Sequence, residues 1–167
     1  MTAVKKALDR VLTVVCVVLF ATLVLDVTWQ VFTRQVLASP SPWSEELATY
    51  LFIWLGLFGA ALVFGERGHI AVDVAVRKLP RPGQVALAVA VQLAILAFTG
   101  LALLWGGFLV SRLAWEQEVT GLPITVGPLY LALPISGALI AFYTLYHLVR
   151  ILTGAERAVE DSEPELV

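Results

Sequence analysis

The sequence predicts an all-α membrane protein. It has four transmembrane helices, both chain ends on the cytoplasmic side, and an amphipathic surface helix between spans two and three. Three observations predict this. First, residues 47–65, 82–111 and 119–149 contain no Asp, Glu, Lys or Arg, and between Arg10 and Arg34 the ionisable side chains are Cys16 and Asp26 alone. Roughly 20 apolar helical residues cross a hydrocarbon core of about 30 Å, and each stretch can supply that. Second, the chain is 59% hydrophobic and 14% charged, with a mean hydropathy of +0.87; a soluble domain carries about a quarter charged residues. Third, the basic residues fall on alternate sides. Lys5, Lys6 and Arg10 precede span one, Arg67, Arg77, Lys78 and Arg81 separate spans two and three, and Arg150 and Arg157 follow span four. These nine oppose only Arg34 and Arg112, and an excess of Lys and Arg marks the cytoplasmic loops.

Residues 1–153 read as one four-span membrane domain, which leaves no room for a separate globular domain. Span one covers about 11–32, with Trp29 and Phe32 suited to the outer interface. Its apolar run outlasts the roughly 7–15-residue core of a signal peptide and no Ala-x-Ala-like site follows, so it reads as a retained span. Ser41 is placed to cap span two (about 43–64), with Pro42 at the first helical position. In the connector 66–80, Glu66, His69, Asp73 and Arg77 form a polar stripe opposite Ala71, Val72, Ala75, Val76 and Leu79. That is the pattern of a helix lying on the membrane surface or against a partner, and Pro80 and Pro82 stop it. Span three lies within about 84–111, where Gly100, Gly106 and Gly107 with Ala97 and Ala102 suit close helix packing. Residues 116–128 read as a turn-rich loop, and span four covers about 129–149 with Pro134 kinking its early turns. Residues 154–167 form an acidic tail of disordered composition.

Asp26 is the acid embedded within a span. A carboxylate in hydrocarbon costs at least ~2.5–3.5 kcal/mol, so it must face protein, face water or be protonated. It reads either as a proton or cation site or as a hydrogen bond to a neighbouring helix; Thr22 and Gln30, each four residues away, extend that face. Glu45 and Glu46 open span two, where the helix dipole favours acids by roughly 0.3–1 kcal/mol. Two adjacent acids point in different directions, so one is available to a basic partner, with Arg34 the simplest counter-ion within the chain. His69, Asp73 and Arg77 permit local i,i+4 pairs or docking to another subunit.

Catalytic constellations are missing, and no enzyme activity, cofactor, metal or nucleic-acid partner is expected. His69 and His147 lack a Cys, His or carboxylate cluster at metal spacing, no phosphate-binding glycine loop follows a strand, and no Ser/Cys–His–acid set is legible. One Cys excludes an intrachain disulfide framework.

The run Trp43-Ser-Glu45-Glu46-Leu-Ala-x-Tyr50-Leu-Phe-Ile-Trp54-Leu-Gly56, continuing to Gly59-Ala60-Ala61 and then to His69-Ile-Ala-Val72-Asp73, resembles the four-span small permease subunit (Q-type) of tripartite ATP-independent periplasmic (TRAP) transporters. Tyr130-x-x-x-Pro134-x-x-Gly137 adds to the likeness, which extends from Arg10 to about Leu152. The resemblance implies a bacterial or archaeal inner-membrane protein with cytoplasmic ends and surface-lying helices. It implies a large multi-span subunit that carries the substrate and sodium sites and moves elevator-fashion, with this chain as its static scaffold. It also implies a soluble periplasmic binding protein that delivers an organic acid, often a carboxylate or sialic acid. Arg34, Trp43, Glu45 and Glu46 would then lie near the periplasmic surface, and His69 and Asp73 match the family's cytoplasmic-side motif. The candidates for partner interfaces are therefore Arg34, Trp43, Glu45, Glu46, Trp54, His69, Asp73 and Arg77, besides surrounding lipid. Gly127-Pro128 departs from the family, whose members often carry an aromatic just before the fourth span.

Two readings from other classes stand beside this one. An autonomous small proton-coupled exporter would use Asp26, and a haem-bearing electron-transfer subunit would use His69 and His147.

Overall fold

The computed structural model describes residues 3–66 and 80–153, so the predicted connector helix, with His69, Asp73 and Arg77, and the acidic tail lie outside the described residues. The elements are α1 (Ala3–Gln35), α2 (Pro42–Gly65), α3 (Arg81–Phe98), a π segment (Thr99–Gly106), α4 (Gly107–Leu113), α5 (Val126–Tyr130) and α6 (Ala132–Leu152). Four helices are long and apolar enough to cross a membrane: Ala3–Gln35, Pro42–Gly65, Pro82–Leu113 and Val126–Leu152. The charges at each end extend the helices rather than ending them, because a helix satisfies its own backbone groups in lipid and at the interface alike. α1, at 33 residues, is about 50 Å long, more than a hydrocarbon core of about 30 Å requires.

A tight turn joins α1 to α2. Val36 and Leu37 donate to Phe32 O (2.8 and 3.4 Å), Ser39 donates to Thr33 O (3.1 Å), and Ala38 takes φ 47°. Pro42 stands at the start of α2 as expected, but Ser41 makes no side-chain cap. Its hydroxyl instead lies 2.6 Å from that of Ser44, because Ser44 turns back to donate to Ser41 O (2.9 Å) and occupies the capping space.

α1 packs on α2, α2 on span four, and span four on span three. Span four is the centre: 33% of its apolar window is buried, against 11% in each of the first two spans and 6% in span three. Lipid is as apolar as leucine, so close contact and polar bonds hold helices together there rather than expulsion of water. Glycine supplies the close contact. A Cβ on Gly107 would meet Leu133 Cβ at 2.6 Å, one on Gly137 would meet Leu103 Cβ at 2.8 Å, and one on Gly65 would meet the Tyr143 ring at 3.0 Å. Of the glycines expected to pack span three, Gly107 does so, whereas Gly100 has nothing within 4 Å and Gly106 meets only its own helix.

The middle of span three widens into the π segment, where the Gly107 amide reaches Ala102 O, five residues back. Glycine is about 1 kcal/mol less favourable than alanine in a helix, and three of them here leave the regular α ladder easily disturbed. Span four breaks at Leu131, between α5 and α6. Pro134 has no amide to return to the turn before it, so the expected kink falls three residues upstream of the proline. The 116–128 loop is turn-rich as expected, closed by an isolated antiparallel bridge between Glu118 and Thr125 and a positive φ (80°) at Gly121.

The main core joins Leu12, Phe58, Ala61, Ile140 and Tyr143, with Ile95 and Leu103 of span three packed against them. Gly107→Ala is expected to destabilise the chain by about 1–3 kcal/mol through overpacking. Gly56→Ala, at a position with nothing within 4 Å, should be neutral or stabilising by up to ~1 kcal/mol. Thermal unfolding of both variants in detergent checks the contrast.

Candidate functional site

Of the predicted site residues, Arg34, Trp43, Glu45 and Glu46 lie at the junction of α1 and α2, while His69, Asp73 and Arg77 lie outside the described residues. A small polar knot positions the first four. Thr33 is buried and donates to Gln30 O (3.0 Å), its hydroxyl lies 3.4 Å from that of Ser41, and Ser44 is fully buried beneath. This knot sets the first turn of α2, which carries Trp43, Glu45 and Glu46 outward. Gly121 holds the long loop against that turn, with its Cβ position 3.2 Å from the Trp43 amide nitrogen. A side chain there would also be strained by the positive φ.

Arg34 and Glu45 are exposed, Glu46 is half-buried, and neither acid pairs with Arg34; the ion pair among the described residues is Lys5–Asp9 instead. The proposed counter-ion role of Arg34 is therefore corrected: the turn directs the α1 end and the α2 start into different positions, and solvent screens both signs. Arg112, Glu116 and Glu118 complete this end with the half-exposed Trp43 and Trp115. A groove of about 720 Å³ runs along it, lined by Glu118, Leu122, Pro123, Ile124, Thr125, Pro128 and Leu129. Trp54 lies one level deeper and spends its indole N–H on Leu129 O at 2.9 Å, edge-on to Phe58. Ser111 donates to Gly127 O at 2.7 Å, and a Cβ on Gly127 would meet Trp115 Cα at 2.5 Å. Gly127 is thus a contact point between the ends of spans three and four.

Asp26 is buried in α1 and its Oδ2 has no hydrogen-bond partner. Of the polar residues flanking it on α1, Thr22 is exposed and donates to Val18 O of its own helix (2.8 Å), and Gln30 is half-buried. A threonine on a helix satisfies its hydroxyl locally whenever no better acceptor is within reach.

The opposite end holds a cluster that the sequence did not reveal. Lys5, 3% exposed, donates to Asp9 Oδ2 at 2.9 Å, and Tyr143 donates to Asp9 Oδ1 at 2.7 Å. The Lys5 nitrogen also lies 5.7 Å from the centroid of the fully buried Tyr143 ring. That ring packs on Gly65, the last residue of α2, whose carbonyl accepts from His147 Nε2 at 3.3 Å. Arg150 donates to the Tyr146 hydroxyl at 2.7 Å in the next turn. The i,i+4 spacing of Lys5 and Asp9 was a readable signal of a pair; its connection to Tyr143, 134 residues away, was not. Among the described residues no group of three or more His, Cys, Asp or Glu is placed to hold a metal ion. His147 serves as a buried structural donor.

A family model described as "Tripartite ATP-independent periplasmic transporters, DctQ component" matches residues 23–154. The chain is 30% identical over 153 residues to the sialic acid TRAP transporter small permease protein SiaQ of Vibrio cholerae, covering 90% of this chain and 88% of that protein. It is 32% identical over 152 residues to a putative TRAP transporter small permease protein of Haemophilus influenzae, covering 85% of this chain and 88% of the other. It is also 28% identical over 127 residues to the isethionate TRAP transporter permease protein DctMQ of Oleidesulfovibrio alaskensis, covering 73% of this chain but 20% of that longer protein.

Lys5 is buried while Asp9 is 29% exposed, so removing the acid leaves the lysine and the Tyr143 hydroxyl without their partner at a part-wet site. Asp9→Leu is expected to destabilise the chain by about 1–3 kcal/mol, while the double variant Lys5→Met/Asp9→Leu recovers part of that loss. Unfolding of the three proteins in the same detergent checks it.

Proposed function

This chain belongs to the DctQ component family of the tripartite ATP-independent periplasmic transporters, and on that premise we propose that it braces a larger permease and moves no solute itself. As a TRAP small permease it is a multi-pass inner-membrane protein that works with a large permease subunit. The observation that carries the bracing role is the relative in which a stretch like this one is a fifth of a single longer permease. About four fifths of that protein's length lies outside the part this chain resembles.

The proposed assembly imports an organic acid on a sodium gradient, with a soluble periplasmic binding protein delivering the substrate. Acids named for the relatives, sialic acid and isethionate, support that substrate class. In this reading the Lys5 end faces the cytoplasm, because the basic residues concentrate there. The Arg34 end faces the periplasm, where Arg34, Trp43, Glu45 and Glu46 meet the large subunit or the binding protein. Among the described residues Arg34, Glu45 and Glu46 make no ion pair, which suits pairing across an interface, where charge tunes encounter and register more than affinity. Trp54 supports that surface from beneath through Leu129. His69, Asp73 and Arg77 are proposed to dock on the cytoplasmic side of the large subunit.

Three experiments test this. Liposomes holding only this chain are expected to show no acid uptake; adding the large subunit, the binding protein and inward sodium should restore it. Uptake by the chain alone that disappears in Asp26→Asn would overturn the reading in favour of an exporter. In a Cys16→Ala background, a cysteine at Glu116 should react with an impermeant reagent from outside and one at Lys78 only from inside. The charge-reversed pair Glu45→Lys/Glu46→Lys should lower uptake severalfold while the subunits still co-purify.

A further inference from the structure

Asp26 is a buried acid with no part in the bracing role. It lies within α1, eight residues or about 12 Å from Arg34 and sixteen residues or about 24 Å from Arg10. It is 7% exposed, between the exposed Leu25 and Val27, and its Oδ2 has no hydrogen-bond partner. At this depth α1 packs on α2. The contacts among Thr33, Ser41 and Ser44 set the two helices level, and two turns down each brings Asp26 level with Leu51. Nothing on α2 answers a charge there. Residues 47–65 contain no Asp, Glu, Lys or Arg, and Tyr50 packs on the cluster of Ala114, Val119 and Val126 instead. Residues 82–111 and 119–149 also carry none of the four, and Tyr143 and His147 are engaged at the Lys5 end.

A lone carboxylate in hydrocarbon carries a cost that the uncharged acid largely avoids. A bound cation could cancel the charge, but a hard cation takes roughly six or more oxygen ligands. Asp26 has no such company. Thr22 and Thr28 spend their hydroxyls on Val18 O and Val24 O, and no group of three or more His, Cys, Asp or Glu is placed to hold a metal among the described residues. We propose that Asp26 is a proton-binding site and stands in the bilayer as the uncharged acid. The acid, unlike the carboxylate, has an O–H to donate. A carbonyl of the preceding helical turn is the kind of acceptor that Thr22 and Thr28 already use. The proton is stationary, because the next acid along α1, Asp9, is seventeen residues or about 26 Å away. The site does not depend on the bracing role.

The test is infrared spectroscopy of the full chain in lipid nanodiscs at pH 7, comparing the parent with Asp26→Asn. The parent is expected to show the carbonyl stretch of one undissociated carboxyl per chain. That band should be missing from Asp26→Asn and equally strong in sodium and potassium buffers. Loss of carboxylate bands in Asp26→Asn, with no carboxyl band in the parent, overturns the site. So does a band that is present in potassium and vanishes in sodium, which marks a cation site instead. Should Asp26→Asn fail to fold, the parent labelled with carbon-13 aspartate decides alone. Of its other aspartates, Asp9 is paired with Lys5, and Asp73 and Asp161 lie outside the charge-free runs. A labelled carboxyl band supports the site, and labelled carboxylate bands alone overturn it.

Discussion

The bundle depends on the close approach of its neighbours to span four. In hydrocarbon there is no water to drive apolar surfaces together, so helices associate only where they fit closely or share polar bonds. Span four meets both conditions. Gly137 admits Leu103, Gly107 of span three admits Leu133 and Pro134, and Gly65 of α2 admits Tyr143. Around these contacts Ser136, Thr144 and Tyr143 are buried with their hydroxyls satisfied. Spans one and three then flank a ready-made centre, which explains why they leave most of their surface open.

The two ends treat charge in opposite ways. At the Lys5 end a buried cation and a part-exposed acid are paired and joined to a tyrosine, an arrangement that ties the chain to itself. At the Arg34 end the charges stand apart on a surface kept rigid by Ser44, Trp54, Ser111 and the turn at Gly121. A rigid surface with unpaired charges suits recognition, since little order is lost when a partner arrives. A scaffold subunit needs this division: one end that stays folded and another that presents contacts.

Much of this was legible in the chain. Three charge-free runs and a fourth broken only by Asp26 predicted four spanning helices, Pro42 marked the start of α2, and Pro134 predicted a kink in the early turns of span four. The misses share a cause. The Ser41 hydroxyl meets that of Ser44 instead of capping α2, and the Thr22 hydroxyl donates to its own backbone. Both outcomes depend on which acceptor lies nearest in space. One overlooked signal was present throughout: span four has the lowest hydropathy of the four, 1.6 against 2.1 to 2.6, and is the most buried. In a membrane, lipid-facing helices must be the apolar ones, so a less apolar span is expected to face protein.

By itself the sequence determined how many times the chain crosses the membrane, because crossing depends on runs of apolar residues that are local and additive. It also carried the family's motifs, which lie in short contiguous runs. Only the tertiary structure decided which span is central, which glycines are contact points, and that Asp9 answers to Tyr143. Those are matters of proximity between residues up to 134 positions apart, and no local pattern encodes them.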